Sequence, residues 1–302
     1  MTISGFTMVR NAGKLYYPVK ESISSILPIV DEYIVALGDG DPNDKTREII
    51  LSIGSDKIKI HDRTWRETDF VKGKVMADET NYALNQCSGD WCFYLQADEV
   101  VHEADLEMIM DTCRNNTDNP AVDGLLFKYL HFWGDYDHYL PFHGWYKNEI
   151  RIIKNRRGIY SIKDAQSFRK GNNEILHVKE TNARIFHYGW VRPPGRMQSK
   201  KNQVDSIYHG SEAIQKISSL LPDEFDYGAL GNIPSYKGSH PAVMKEFMQK
   251  LDWKEKLNYS SQANLGRPRF KHEMFKYRLL SSIENTFNSG RDIFGYTNWK
   301  RL

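Results

Sequence analysis

The sequence predicts an α/β fold in which helices flank a mostly parallel central sheet. In the first hundred residues, short apolar runs typical of buried strands alternate with segments of helical periodicity. Strands and helices in this alternating order indicate right-handed crossovers between parallel strands of one sheet. The chain is also large and apolar enough for a substantial core, with 302 residues of which 40% are hydrophobic.

Apolar runs and turn signals define the predicted elements of this first part. Runs rich in β-branched and aromatic residues predict strands at residues 3–9, 32–37, 57–62 and 91–96. Pro18 is well placed for the first turn of a helix, and Gly54 ends a second, short helix. Residues 73–87 place apolar side chains on one face of a third helix.

The later part of the chain changes character twice. After one more predicted helix, residues 122–190 are rich in aromatic and strand-forming side chains. We expect these strands to extend the same sheet or to form a small second one. Because the pattern is mostly helical from Pro193 onward, we expect a first domain at residues 1–212 and a helical C-terminal extension at residues 213–302.

Charge and cysteine content exclude several classes of protein. Lys and Arg number 41 against 39 Asp and Glu, so the chain lacks the basic excess that gives nucleic-acid binders their affinity. No uninterrupted apolar run of about 18 residues predicts a membrane span, and the N-terminus has no signal-peptide pattern. Without a CxxC pair, the three cysteines are expected to be reduced and buried. We therefore expect a cytoplasmic protein with no nucleic-acid partner.

The segment at residues 267–278 is locally basic. A basic helix there could lie on anionic lipid or pair with a partner, or it could be a solvated face. We expect at most peripheral contact with a membrane, and the sequence favours no particular oligomeric state.

Acidic residues stand where two of the predicted strands end. Asp39 follows the second strand, and Asp98 and Glu99 follow the fourth. Ligands of parallel sheets bind outside the carboxyl ends of the strands, so we expect these carboxylates at the mouth of a site. Two adjacent carboxylates at this point could cap a turn or the following helix. They could equally hold Mg²⁺ or Mn²⁺, with phosphate and water completing the coordination.

Three stretches of the N-terminal third follow one another in a recognisable order. They are FTMVRNAGKLYYPVKESISSIL (6–27), DEYIVALGDGDPNDKT (31–46) and KGKVMADETNYALNQCSGDWCFYLQADEVV (72–101). Together they resemble the first strand and helix, the strand with its acidic turn, and the metal-binding strand end of the family 2 glycosyltransferases. These enzymes have the GT-A fold. The resemblance covers about a third of the chain and extends more loosely to about residue 210.

The resemblance implies a metal-dependent, hexosyltransferase-like enzyme. Such an enzyme transfers a sugar from a UDP- or GDP-sugar to a carbohydrate, lipid-linked or other hydroxyl acceptor. By position, Asp39 matches the acid that binds the nucleotide base, and Asp98 and Glu99 match the D-x-D region that holds the diphosphate through Mn²⁺ or Mg²⁺. Gln96 stands where the first Asp of D-x-D is usual. Its amide can bind a ribose hydroxyl but is a poorer metal ligand, so the charge falls on Asp98 and Glu99.

Further candidates surround these acids. The resemblance implies that His187 is a third metal ligand, although a histidine packed among aromatic neighbours would also suit the run ARIFHYGW. Arg10 and Asn11, just past the first strand, are expected to reach the nucleotide. Arg192 and Arg196 flank the start of a predicted helix, where guanidinium groups and helix N-terminus together favour phosphate. The alternative there, a solvated basic face, stays open.

The general base is the least constrained part of the predicted site. If the reaction inverts the anomeric centre, a carboxylate must take the proton of the acceptor hydroxyl. We expect Asp164 in this role because it lies between strand-like runs downstream of the metal motif, with Asp135, Asp137 and Glu149 as competitors. A retaining enzyme would need no such base.

Aromatic residues crowd positions 127–146, where they could line a sugar site or pack in the core. Two other functions stay open at this stage. A nucleotidyltransferase would need a Gly-rich phosphate loop with a lysine. RNAGK (10–14) matches such a loop only weakly. A non-catalytic protein that binds nucleotide or sugar would be consistent with Gln96.

Overall fold

The first hundred residues form the predicted succession of strands and helices. The computed structural model describes residues 1–155, 157–217, 220–262, 266–288, 293 and 297–302. The first strands are β1 (Ile3–Val9), β2 (Glu32–Gly38), β3 (Ile58–Arg63), β4 (Trp91–Tyr94) and β5 (Glu99–Val101). The helices among and after them are α1 (Val19–Ile26), α2 (Thr46–Leu51), α3 (Lys74–Asn85) and α4 (Leu106–Asn116).

The middle of the chain is β-rich and the C-terminal part mostly helical. The strands are β6 (Gly124–Trp133), β7 (Asn148–Lys154), β8 (Ile159–Ile162), β9 (Ser167–Lys170) and β10 (Leu176–Trp190). They are followed by α5 (Pro194–His209), α6 (Ser211–Ile217), α7 (Lys245–Met248), α8 (Phe275–Phe287) and β11 (Trp299–Arg301).

Most of the described strands belong to one mixed sheet. Its order is β11-β10-β6-β7-β4-β1-β2-β3, with β5 added on β10, while β8 and β9 form a separate hairpin. Strand β1 pairs in parallel with β2 and β4, β2 pairs in parallel with β3, and β7 runs antiparallel to β4 and β6. The predicted α/β class with a largely parallel central sheet is confirmed, and strands β6, β7 and β10 extend that sheet.

Helices cover both faces of the first strands. Strands β2 and β4 are buried along their whole length, as expected for continuous apolar runs in a covered parallel sheet. Ile23 of α1 and Ile109 of α4 pack in the cluster on one face. Ala83 and Leu84 of α3 pack in the cluster on the other face. Because helices cover the two faces, a ligand can approach these parallel strands at the carboxyl ends of β1, β2 and β4.

The C-terminal part packs against the rest of the chain rather than standing apart. Phe225 and Trp253 lie in one apolar cluster with Phe132 of β6 and Phe186 of β10. Strand β11 pairs in parallel with β10, so the end of the chain also adds a strand to the central sheet. The domain boundary after residue 212 stays a prediction.

The described ranges contain no helix with the length and hydropathy needed to cross a bilayer.

Candidate active site

A cavity of about 470 Å³ opens beside the carboxyl ends of β1 and β4. Three groups of residues form its wall: Met8–Arg10 at the end of β1, Gln96–Asp98 after β4, and one face of α5 that includes Lys200 and Tyr208. His131 of β6 and His187 and Trp190 of β10 complete the wall on the far side. The position is the one at which parallel sheets bind ligands.

Asp98 is the acidic centre of this cavity. The residue is 4% exposed. Its Oδ2 accepts a hydrogen bond from Nζ of Lys200 at 3.0 Å and lies 3.8 Å from Nη2 of Arg192. Its Oδ1 lies 3.8 Å from Nε2 of His187. Burial by itself would raise the pKa of Asp98, but Lys200 and Arg192 lower it below its ordinary value. Asp98 is therefore a buried, ionised carboxylate.

Glu99 does not line the cavity, and other side chains hold its carboxylate. It is fully buried, and Arg151 donates to its two carboxylate oxygens at 2.7 and 2.8 Å. The hydroxyl of Tyr129 donates to the same carboxylate at 2.8 Å. Both carboxylate oxygens of Glu99 are therefore engaged by Arg151, and its role as a metal ligand stays a prediction.

His187 lies beside Asp98 and contacts a second histidine. Its Nδ1 lies 2.9 Å from Nδ1 of His131, whose Nε2 is 2.7 Å from the carbonyl oxygen of Tyr146. Burial lowers the pKa of His131 to about 4 and that of His187 well below its ordinary value. Both rings are therefore neutral at neutral pH, and a neutral imidazole is the form that binds metal.

Two buried, positively charged side chains, Lys200 and Arg192, lie next to Asp98. Burial and the neighbouring Arg192 lower the pKa of Lys200 to about 8, against the opposing effect of Asp98. Arg192 is fully buried and donates from Nη1 to the carbonyl oxygen of Leu15 at 2.8 Å. Its Nε and Nη2 have no hydrogen-bond partner within the described part of the chain. Arg192 thus supports Asp98 from behind, whereas the other predicted phosphate ligand, Arg196, is exposed outside the cavity wall.

Asp39, Arg10 and Asn11 lie close together where β1 and β2 end, and we call this group the rim. Arg10 lines the 470 Å³ cavity, whereas Asp39 and Asn11 line a second pocket. Oδ1 of Asp39 accepts a hydrogen bond from the backbone N–H of Trp65 at 2.8 Å, and Nε of Arg10 donates to the carbonyl oxygen of Asp39. The guanidinium of Arg10 lies 5.6 Å from the centre of the Trp65 ring. A Cβ at Gly38 would lie 2.5 Å from Nε1 of Trp65, so glycine is needed for this close approach.

Gln96 and Asp164 also line the cavity, and Gln96 contacts the loop that carries Asp164. Nε2 of Gln96 is 3.5 Å from the carbonyl oxygen of Ala165, and the hydroxyl of Tyr208 donates to Oδ2 of Asp164. Lys163 and Ala165 both have positive φ, at 57° and 60°. Non-glycine residues in this region of the Ramachandran plot are uncommon and cluster at functional sites.

The three competitors of Asp164 lie elsewhere among the described residues. Asp135 is buried and bonded to His138, and Asp137 is near it in the same turn. Glu149 is buried against Ser167, and this burial raises its pKa to about 7. None of the three lines the 470 Å³ cavity. Of the aromatic residues at positions 127–146, Trp145 and Tyr146 do line it, whereas others pack in the core.

The donor atoms present fit a cation that is held jointly with a substrate. Within the described ranges, no three His, Cys, Asp or Glu side chains are arranged to hold a metal ion by themselves. Asp98 and His187 face each other, and both pack closely against Gly189: a Cβ there would lie 2.4 Å from Nε2 of His187 and 3.0 Å from Oδ2 of Asp98. Mg²⁺ and Mn²⁺ commonly take one or two protein ligands, with phosphate and water completing the shell.

Several side chains of this site were missed by sequence reasoning. Arg151 and His131 had a signal, since each is a polar residue inside an apolar strand and such residues are buried with a partner. Tyr208 sits at the spacing of the other apolar residues of α5, so the pattern indicated core packing only. Trp65 lies in an irregular loop and had no signal.

Comparison with known proteins gives distant similarities. No family model matches the chain, and no curated protein matches it. Mannosyl-3-phosphoglycerate synthase from Rubrobacter xylanophilus aligns with 43% of this chain and 41% of its own at 20% identity and a TM-score of 0.31.

Two further solved structures align in a similar way. Glucosyl-3-phosphoglycerate synthase from Mycobacterium tuberculosis, solved with Mn²⁺, UDP and phosphoglyceric acid, aligns over 43% of each chain at 18% identity and a TM-score of 0.30. S. aureus TarS aligns over 73% of this chain and 42% of its own at 13% identity and a TM-score of 0.39. The present chain spans less than half the length of each of these three proteins.

Proposed function

We propose that this protein is a glycosyltransferase of the GT-A fold and of family 2, which transfers a sugar from a UDP- or GDP-sugar to a hydroxyl group of a carbohydrate or lipid-linked acceptor. Mn²⁺ or Mg²⁺ is part of the proposal. The observation that carries it is the ionised Asp98, buried between Lys200 and His187 on the wall of a cavity at the carboxyl ends of β1 and β4. A site of this volume and mixed polarity suits a nucleotide with its sugar.

Binding of the nucleotide is assigned to the rim. Oδ1 of Asp39 accepts from Trp65, and Oδ2 has no hydrogen-bond partner among the described residues, so it can accept from a base N–H. Arg10 and Asn11 lie beside it, and Gln96, further in, carries an amide suited to a ribose hydroxyl. The donor would thus extend from Asp39 inward to Asp98.

Departure of the nucleotide diphosphate requires that negative charge be stabilised as the sugar bond breaks. Asp98 and His187 would hold the cation, which when bound supplies Lewis-acid stabilisation of the diphosphate oxygens. Lys200 keeps Asp98 ionised and is positioned by its second bond, to the carbonyl oxygen of Gly189 at 2.8 Å. Because Asp98 and His187 are buried from water, each of these interactions is stronger than it would be in solvent.

Activation of the acceptor is assigned to Asp164. Its carboxylate lines the cavity and accepts a hydrogen bond from Tyr208, so it is oriented before a substrate arrives. The ring faces of Trp145 and Trp190 lie on the same cavity and offer apolar surfaces for sugar rings. In an inverting reaction, Asp164 would take the proton from the acceptor hydroxyl.

The proposal is tested by incubating the protein with a panel of UDP- and GDP-sugars, with and without Mn²⁺, and measuring release of free nucleotide diphosphate. Asp98→Asn removes the charge at constant shape and should lower turnover roughly 100- to 1000-fold. Asp111→Asn, an exposed carboxylate on α4, is the matched control. Turnover of nucleoside triphosphates with release of pyrophosphate would instead indicate a nucleotidyltransferase. Calorimetric binding of UDP or GDP without any turnover would indicate a non-catalytic binding protein.

A further inference from the structure

We propose that His131 is a positioning residue that holds His187 in the tautomer whose Nε2 lone pair faces Asp98. The inference deepens the proposed function, and it rests on it in one respect: the cation between Asp98 and His187. His131 contacts His187 and would not contact the cation itself.

The two histidines meet because their strands are paired. His131 of β6 and His187 of β10 are direct partners in the parallel register, so their side chains emerge on the same face of the sheet. The two Nδ1 atoms lie 2.9 Å apart, and Nε2 of His131 lies 2.7 Å from the carbonyl oxygen of Tyr146. The result is a chain of hydrogen bonds from a backbone carbonyl to His187.

The direction of this chain follows from the chemistry of its end. A carbonyl oxygen only accepts, so Nε2 of His131 carries a proton. In a neutral ring the other nitrogen then accepts, which requires Nδ1 of His187 to donate. Nε2 of His187 is left without a proton, and it faces Oδ1 of Asp98 at 3.8 Å. Two acceptors that face each other in a buried wall are satisfied by a cation between them.

His131 is itself fixed by its neighbours. It is 2% exposed. Its ring stacks on Tyr129 at 5.4 Å and meets the edge of Tyr146 at 4.5 Å between centroids. Trp145 lies 5.4 Å away on another side. A ring held on several sides cannot turn to exchange its nitrogens, so the hydrogen-bond direction is built into the fold.

Nitrogen-15 NMR of the histidine rings in the metal-free protein tests the tautomer directly. We expect His187 to carry its proton on Nδ1 and His131 on Nε2. The measurement uses the natural sequence, so it does not depend on whether a variant folds. A His187 ring protonated on Nε2 would overturn the inference.

Mn²⁺ binding tests the consequence for the site. Free Mn²⁺ is followed by electron paramagnetic resonance as protein is titrated, alone and with UDP. His131→Phe removes the acceptor and should weaken Mn²⁺ binding roughly 10- to 100-fold. His131→Gln offers a carbonyl to His187 and an N–H to Tyr146, so it should restore most of the affinity. His272→Phe is the control, since His272 is equally buried and neither of its ring nitrogens has a partner in the described part of the chain.

Equal Mn²⁺ affinity in wild type and His131→Phe would overturn the inference, and so would a wild-type protein that binds no Mn²⁺ with UDP. Failure of the proposed function looks different. If no nucleotide sugar is turned over while the tautomer and the Mn²⁺ effects are as expected, the glycosyltransferase assignment fails and the role of His131 stands.

Discussion

Nζ of Lys200 lies 3.0 Å from Oδ2 of Asp98, joining helix α5 to the residues that follow β4. The same ammonium group donates to the carbonyl oxygen of Gly189 at 2.8 Å. Because burial and Arg192 lower the pKa of Lys200 to about 8, the amine is charged below that pH and neutral above it. The cation that stabilises the charge of Asp98 is therefore itself lost at moderately alkaline pH.

We expect kcat/KM for the donor to fall as pH rises through about 8, the pKa of Lys200, because the neutral amine no longer stabilises the charge of Asp98. This ratio reports ionisations of the free enzyme. In Lys200→Arg the guanidinium stays protonated, so the fall should move up by roughly one pH unit or more. Lys179→Arg, an exposed position on β10, is the control. Identical pH profiles for wild type and Lys200→Arg would contradict the assignment.

Glu99 should matter for stability rather than for metal binding. Its carboxylate and the Arg151 guanidinium form a fully buried pair, and removing one partner leaves the other charge uncompensated. Glu99→Gln should lower the free energy of unfolding by roughly 3 kcal/mol, which urea denaturation measures. Glu107→Gln, an exposed acid on α4, should change it little.

The same variant tests whether Glu99 is also a metal ligand. Because Arg151 engages both carboxylate oxygens of Glu99 and Glu99 does not line the cavity, the folded fraction of Glu99→Gln should bind Mn²⁺ and UDP with wild-type affinity. A large loss of Mn²⁺ affinity with unchanged stability would restore Glu99 as a metal ligand.

Local patterns were sufficient to predict the α/β class and the order of the first strands and helices. The apolar runs of β2 and β4 indicated strands buried on both faces, and the acids after them indicated the ligand-binding edge. The direction of each acid was not predictable. It depends on partners far along the chain: Arg151 is 52 residues from Glu99, and Lys200 is 102 residues from Asp98. A single sequence indicates such residues but not their pairing.

The contact between His131 and His187 illustrates the same limit. Each histidine stands in a run of aromatic residues that reads as core, and 56 residues separate them. Only the parallel pairing of β6 and β10 brings the two rings together. The C-terminal strand β11 was missed for a related reason: three residues are too short a run to show strand periodicity, and their pairing with β10 decides their structure.

Gly189 should be required for the cation site. An added methyl group would clash with Nε2 of His187 and crowd Oδ2 of Asp98, at 2.4 and 3.0 Å, and would displace these two side chains. Gly189→Ala should therefore weaken Mn²⁺ binding by at least about tenfold, a change comparable to the loss of a supporting residue. The matched control is Gly195→Ala in α5, where the nearest atom to a new Cβ lies 3.8 Å away. Mn²⁺ affinity equal to that of wild type would show that the cation does not sit between Asp98 and His187.

Asp164 should act on the chemical step and not on donor binding. Its carboxylate lines the cavity, and Tyr208 holds it through a hydrogen bond, so Asp164→Asn keeps the shape while removing the base. We expect kcat for transfer to an acceptor to fall roughly 100- to 10,000-fold, with UDP affinity and donor KM nearly unchanged. Tyr208→Phe removes the hydrogen bond that orients the carboxylate but keeps the base. It should therefore lower kcat less than Asp164→Asn does. Asp137→Asn serves as the control, because Asp137 lies off the cavity wall. If Asp164→Asn transfers sugar at the wild-type rate, the base lies elsewhere or the reaction retains configuration, and the stereochemistry of the product then separates these two outcomes.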